Sequence, residues 1–411
     1  MLTLHDLQIL RPLVQQYAEI AFLPAQATKR KLWRDHNSLR SARPMVLVDQ
    51  ICWEELNEDG CLDCGCEDPW WRNIETDLRR KLYLWEHMPA DMVFNPYLSV
   101  PKPLHNTGWG LSAELDSIQQ GDDSAVYSQK YHTVLENEED IEKIRMPEVT
   151  MDEKRYEEIR QETARVCEGI LPFHLAGETM HLGLWDKISE WRGVESCYLD
   201  LYDRPEFLRA IMEKLTRGIL HQIDCVNKIG AFDVTSNLTH CSHTFSDDLP
   251  KKDCDPEFGR TEDGWAFGLA QLFTAVSPEV TEEFEVPYMN RIFPRFGAIY
   301  YGCCERLDDR LDVIAKLKNV RKISCSPWSD RDHFAEAMPG NCVMSAKPTP
   351  ALLAGDSFDE EAVRKDLRAT MDAAGRNGRN LELILKDLST VRRDPPRLWR
   401  WTEIAMEEAQ R

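Results

Sequence analysis

The chain has 411 residues, 42% of them hydrophobic, and a net charge of −21. The charge repels nucleic-acid phosphates and acidic membrane surfaces, because binding there depends on Lys and Arg neutralising phosphate. No stretch approaches the roughly 18 uninterrupted apolar residues of a membrane span, and 13 cysteines, an odd number, argue for reduced, mostly buried thiols and against a secreted disulfide framework.

The opening residues, Met1 to Asp6, lack the basic start and apolar run of a secretion signal, so a cytoplasmic protein is expected. Leu7, Leu10, Leu13, Tyr17 and Ile20 recur at three- and four-residue spacing and predict helix over 3–25, with Pro12 kinking it or starting a second helix. A basic, polar segment from Lys29 to Arg43 follows. Met45 to Val48 is the first predicted strand, with Asp49, Gln50, Trp53 and Glu54 after its end. Cys61, Cys64 and Cys66 have C-x2-C-x-C spacing without a matching Cys/His pair nearby. A structural zinc needs four ligands, so these thiols belong to a loop or strand.

Helix is predicted over 74–88 and strand over Asp91 to Phe94. A long excursion then carries Pro96, Pro101, Pro103 and His105 to Gly110. Its glycines lack the Gly-Lys-Ser/Thr of a phosphate loop. It reads as an insertion over the mouth of a barrel, with His105 either reaching the site or bonding loop backbone. The acid-rich region 133–168 reads as helical, with a solvated face or a docking surface. Ile170 to His174 ends another strand. His174 and His181 read as loop or core histidines, and 184–230 carries two or three helices. Strand is predicted over Phe232 to Ser236, and His240 and His243 follow at a metal-like spacing of three. Phe267 to Phe273 is a further predicted strand containing Gln271. Ser277-Pro278-Glu279 then starts a helix bearing Glu282 and Glu283: Ser caps, Pro fits the first turn and Glu favours the positive end.

The run Tyr300-Tyr301-Gly302-Cys303-Cys304-Glu305 ends a strand that begins near Phe296. Two thiols, a phenol and a carboxylate in so few residues suit soft-metal binding, nucleophilic attack or proton transfer. Further strands are predicted over Val320 to Ser324, Cys342 to Ser345 and Leu381 to Leu385. Helices are predicted over 307–318, 330–338, 358–377 and 397–409. This alternation, with polar residues after each apolar run, predicts an α/β fold: a TIM (β/α)8 barrel with insertions. One domain is expected over 1–411, made of an N-terminal helical extension over 1–43 and a barrel over 44–411.

Ser277-Pro278-Glu279, then Glu283-Phe284, then a strand ending Tyr301-Gly302-Cys303 resembles the uroporphyrinogen decarboxylase superfamily, particularly its methyltransferase-like branch. Lys322-Ile323-Ser324, Ser345-Ala346-Lys347-Pro348 and Lys386 to Thr390 fit as well. Trp33 to Asn37 and Asp49 to Trp53 fit more loosely. The resemblance implies a TIM barrel with its site at the C-terminal ends of the strands. It also implies either the decarboxylation of haem synthesis or zinc-dependent methyl transfer between a corrinoid protein and a thiol, folate or methoxylated compound. The decarboxylase branch's Arg-rich N-terminal signature is missing, with Arg40 and Arg43 only suggestive of it. The methyltransferase branch carries zinc on His-x-Cys and a distant Cys. Here Tyr301 stands at the His position and Cys303 at the Cys, with Cys325 and Cys342 as candidates for the distant thiol.

The function so implied is methyl transfer between a small methoxy, methylthio or methylamine compound and a corrinoid. The chain has no Asp-x-His-x-x-Gly, so the corrinoid is expected on a separate protein. Cys303, Cys304 and Glu283 are the expected zinc ligands, and zinc acts there as a Lewis acid. Tyr301 is the expected proton donor, with Glu305, Lys347 and Lys386 as further catalytic residues. A decarboxylase using Arg40, Arg43, Lys347, Lys386 and Tyr301 is the alternative, and a non-catalytic tetrapyrrole or corrinoid binder is a third. An oligomer is compatible with the sequence.

Overall fold

The computed structural model describes residues 1–119 and 127–411. Seven short strands form one parallel sheet: β1 Met45–Val48, β2 His181–Leu182, β3 Trp265–Gly268, β4 Ala298–Tyr301, β5 Val320–Cys325, β6 Val343–Ala346 and β7 Leu381–Leu385. Their order across the sheet is β2-β3-β4-β5-β6-β7-β1. Strands β2 to β7 therefore lie in chain order, and the first strand of the chain pairs with the last. Parallel neighbours need crossovers. Helices Pro278–Phe284, Val286–Ile292, Arg331–Ala337 and Glu360–Arg376 supply them.

Each strand alternates between two environments, as the period of two requires. Val46, Ala266, Ile299, Ile323, Met344 and Leu383 face outward into the large apolar core shared with the helices. Met45, Leu47, Trp265, Phe267, Ala298, Tyr300 and Ile384 share a second, separate cluster on the other face. That face also carries polar side chains, and they measure its curvature. Tyr300 Oη of β4 lies 2.7 Å from Ser345 Oγ of β6. Lys322 Nζ of β5 donates to Glu382 Oε2 of β7 at 2.6 Å. Strands two apart in a flat sheet stand about 9–10 Å from one another. The sheet is therefore curled, with these chords spanning its concave side. This is an α/β fold compatible with a TIM-like barrel.

The N-terminal ends of the strands are plugged. Helices α1 Leu4–Ala21 and α2 Pro24–Asn37 precede β1. Trp33 Nε1 of α2 donates to Asp91 O at 2.7 Å, and His36 Nε2 meets Glu382 Oε2 at 3.2 Å. Asn37 Nδ2 donates to His243 O and Phe245 O at 3.0 and 2.7 Å. The segment around Leu238–Thr239 and Ser242–His243, a short antiparallel pair, thus enters the concavity and is held there from below.

Several predicted boundaries move. Helix α1 runs through Pro12, and the break comes at Leu23–Pro24, where proline occupies a first helical turn. The basic stretch after it is part of α2. Asp91 to Phe94 is not a regular strand, although Asp91 N donates to Val46 O at 2.9 Å. Phe232 makes one isolated parallel bridge, with Glu178. The run Phe267 to Phe273 divides into β3 and a 3-10 turn, Gln271–Ala275. A short apolar run cannot by itself distinguish buried strand from buried helix. No helix among the described residues is long and apolar enough to cross a membrane.

Lys322 and Glu382 are both fully buried, and Lys322 Nζ also donates to Ser242 Oγ at 2.6 Å. Glu382→Gln would leave the ammonium without its counter-charge, and we expect a loss of about 3–5 kcal/mol, read as a lower midpoint in urea denaturation. Burial alone would raise the Glu382 pKa, but Lys322 and His36 hold it well below the usual carboxylate range. The pair's contribution is therefore present above the unfolded glutamate pKa of about 4.3. It is lost as pH falls below that value towards the folded one, and denaturation midpoints across that window measure it.

Candidate active site

The concave face opens where β4 ends. Gly302 takes φ +87, and a Cβ there would stand 2.5 Å from Leu307 Cδ1. Only glycine turns the chain at this point without strain. Its N–H donates to Gly268 O at 2.8 Å. The turn delivers Cys303 inward. The Cys303 N–H donates to Glu305 Oε2 at 2.7 Å, and Ser324 Oγ donates to Cys303 O at 2.5 Å. The backbone of Cys303 is held on both sides.

Two side chains from distant elements converge on its sulfur. Lys386 Nζ, just past β7, lies 3.0 Å from Cys303 Sγ. His240 Nε2 lies 3.6 Å from the same sulfur and 3.3 Å from Lys386 Nζ. The His240 ring stacks on Phe267 with centroids 3.9 Å apart and planes at 10°. The Cys304 thiol next door, itself exposed, accepts from Gln271 Nε2 at 2.8 Å. Asp49, at the end of β1, and His181, exposed at the start of β2, complete the electrostatic surroundings.

These contacts set the protonation. Hydrogen bonding from Cys304 comes first, and with His240 and Lys386 it overcomes burial and lowers the Cys303 thiol to about 3. Burial opposes charge on His240, but bonds to the sulfurs of Cys241 and Cys303 carry its pKa up to about 9. Lys386 is likewise held above its ordinary value against burial by the Cys303 charge. The Cys304 thiol is pushed up, mainly by its bond to Cys303. At neutral pH the arrangement is thus a thiolate between an imidazolium and an ammonium, the environment that activates cysteine. Behind it, burial raises Glu305 to about 7 and Asp186 to about 6, and it holds Glu285 well above its ordinary value.

The structure brings Cys303, Cys304, Glu305 and Lys386 together, as the sequence grouped them. It separates the others. Tyr301 points to the outer, helix-covered face, where its hydroxyl donates to Glu285 Oε1 at 3.3 Å. Strand alternation puts it opposite Tyr300. Glu283 is exposed on helix Pro278–Phe284 and pairs with Arg209. Glu285, two residues on, is the buried carboxylate of that stretch. Lys347 is buried deeper in the concavity, donating to Tyr300 Oη at 2.6 Å and Ser345 Oγ at 2.7 Å. Arg43 is bound to Asp91, and Arg40 to Asp35 and Asp247. Cys325 and Cys342 are buried thiols that burial raises to about 12. His105 is exposed in a two-stranded pair with Val149–Met151, and His174 bonds Glu257.

His240 is the residue whose weight the sequence understated. Its partner in spacing, His243, is buried and accepts from Val93 N–H at 3.1 Å, with burial lowering its pKa to about 4. The two histidines therefore do not share a ligand. His240 has a left-handed backbone, φ +53, and that turn aims it at Cys303. Nothing in the local sequence signals this.

The expected zinc set does not assemble. Glu283 is elsewhere, and the Lys386 ammonium lies within 3.0 and 3.3 Å of the two best donors, Cys303 and His240. A cationic side chain thus stands beside both atoms that a zinc ion would bind. A catalytic zinc takes three protein ligands, and these residues as arranged do not fit one.

No protein-family model matches the chain, and no curated protein matches it. Among solved structures the chain is similar to a methyltransferase from Methanosarcina mazei, with 11% identity and a TM-score of 0.52 over 93% of this chain and 97% of that one. At that identity the likeness is one of fold.

Because Cys303 is held as thiolate, iodoacetamide at about pH 5 should alkylate it while the ordinary thiol is still protonated. Cys325 and Cys342 should remain unmodified. Peptide mass spectrometry checks this, and Lys386→Met should slow the labelling of Cys303 at that pH.

Proposed function

We propose that the protein is a methyltransferase built on a TIM barrel. In this reading it moves a methyl group between a small methoxy, methylthio or methylamine compound and a corrinoid carried on a separate protein. The observation that carries the proposal is the Cys303 thiolate flanked by Lys386 and His240 at the C-terminal ends of the strands, where barrels of this class place their chemistry. The fold likeness to a methyltransferase supports the reaction class. The corrinoid would supply the methyl acceptor, or in the reverse direction the donor.

The chain's own residues then have separate tasks. The methyl donor sits over the open side of His240, beside the exposed Cys304 and His181. As the bond between methyl carbon and heteroatom breaks, its electron pair stays on the heteroatom. The proton that His240 Nε2 shares with the Cys303 sulfur passes to the heteroatom, and solvent restores it to His240 afterwards. Against burial, the sulfurs of Cys241 and Cys303 keep His240 charged up to about pH 9. Lys386 holds the thiolate in place and stabilises negative charge as it develops. In this reading Lys386 and His240 do the electrostatic work expected of zinc, and the proton role expected of Tyr301 passes to His240.

Decarboxylation is the less favoured reading. It needs several free cations for substrate carboxylates. Arg40, Arg43 and Lys347 are already engaged with protein partners, which leaves Lys386.

Methyl transfer from methoxylated, methylthio and methylamine compounds to added reduced corrinoid, followed by the corrinoid's visible absorption, tests the proposal. His240→Asn should cost about 10²–10⁴-fold in kcat. Cys303→Ala should lower kcat and also move the alkaline limb of the pH profile below about 9, because His240 loses the charge that holds its proton. Full turnover in either variant, or carbon dioxide release without methyl transfer, would overturn the assignment.

A further inference from the structure

A second group of metal-capable side chains lies away from this site. Helix Pro205–Lys228 carries His221 and Cys225 one turn apart, so both face the same side. Glu148 approaches them from the chain just before the strand Val149–Met151. His221 Nε2 is 2.8 Å from Glu148 Oε1, Cys225 Sγ is 3.4 Å from Glu148 Oε2, and Cys225 Sγ is 3.6 Å from His221 Nε2. All three donor atoms fall within 4.8 Å of one another, the one such group among the described residues. Glu148 is exposed, and His221 and Cys225 are half-buried.

We propose that Glu148, His221 and Cys225 form a binding site for zinc or a similar borderline divalent metal, which ties the insertion preceding residue 151 to helix Pro205–Lys228. The donors are one nitrogen, one sulfur and one oxygen, each a regular zinc ligand. Tetrahedral bonds of about 2.0–2.3 Å place ligand atoms about 3.3–3.6 Å apart. The separations of Cys225 Sγ from His221 Nε2 and from Glu148 Oε2 already match. His221 bonds the other carboxylate oxygen, Oε1, at 2.8 Å, and that hydrogen bond gives way when the metal takes Nε2 and Oε2. Water takes the fourth position. Binding releases the Cys225 thiol proton to solvent.

The location gives such a metal a structural task. Glu148 is fixed to the insertion through its backbone: Thr107 N donates to Glu148 O at 3.0 Å, and Glu148 N donates to Thr107 Oγ1 at 2.9 Å. Trp109, from the same insertion, lies against Gly218 one turn before His221, where a Cβ would meet the indole at 2.2 Å. The close approach is therefore built for glycine, and the three donors lie along the same seam. Helix and insertion are joined by packing at one point and by the triad at the next. A metal there would make the seam harder to open.

Cobalt(II) titrated into the full, chelator-stripped chain tests this, because a cysteine thiolate on cobalt gives a near-ultraviolet charge-transfer band and a tetrahedral site gives visible bands. We expect both bands in the wild type, displacement by zinc, and loss of the charge-transfer band in Cys225→Ser. Cys303→Ala should retain it, which separates this site from the candidate active site. His221→Ala should weaken binding by at least roughly tenfold, since even outer-shell partners of a metal cost about 10–100-fold. Chelator should lower the melting temperature of the zinc-loaded wild type and leave that of Cys225→Ser unchanged. A cobalt spectrum unaltered by Cys225→Ser, or bands abolished by Cys303→Ala alone, would overturn the proposal.

Discussion

The curl of the parallel sheet rests on polar chords that cross its concave face. Lys322 to Glu382 and Tyr300 to Ser345 each bridge strands two apart, and both pairs are buried. Buried polar groups of this kind are costly unless each finds its partner. The partners lie on different strands, so the chords tie those strands together across the concave face. Neighbouring backbone pairing sets which strand lies beside which.

The candidate active site is the top layer of the same construction. The lowest layer joins His36, Glu382, Lys322 and Ser242. The next joins Tyr300, Ser345 and Lys347. The highest joins Cys303, His240 and Lys386. In the lower layers the charged groups are enclosed by protein. At the top, His240 is half-buried and Cys304 and His181 are exposed, so the same chemistry becomes available to a ligand. Lys386 and Lys347 are both buried and both follow a strand, and the partner each one reaches is what distinguishes them. Lys347 bends back to Tyr300. Lys386 reaches the thiolate.

The segment from Leu238 to His243 makes this possible. It enters the concavity without being part of the parallel sheet, and it supplies His240 to the top layer, Cys241 to the middle and Ser242 to the bottom. Its own conformation depends on Asn37 below, on Val93 beside it and on Phe267 stacked against the imidazole. The protonation of Cys303 thus rests on contacts from five regions of the chain that are far apart in sequence.

Much of the framework was legible in the residues. Strands β1 and β4 to β7 follow from short apolar runs with polar ends, the helices after β5 and β6 from polar-apolar spacing, and the grouping of Cys303, Cys304, Glu305 and Lys386 from their place just after strands, whereas the helix expected over 307–318 shrinks to Leu311–Ile314. These are local properties: periodicity, turn chemistry and the glycine before a reactive residue. What local pattern cannot carry is direction across space. Tyr301 and Tyr300 are adjacent and chemically alike, yet strand alternation sends one to the helices and the other to the concavity. Glu283 and Glu285 differ by a fraction of a helical turn, and one meets Arg209 at the surface while the other is buried beneath Tyr301. His240 and His243 share a spacing but part at a left-handed turn. The sequence by itself determined which elements form and which residues stand at their ends. Tertiary structure alone decided which of those residues meet, because their protonation and reactivity depend on partners brought within about 3–4 Å by the curl of the sheet.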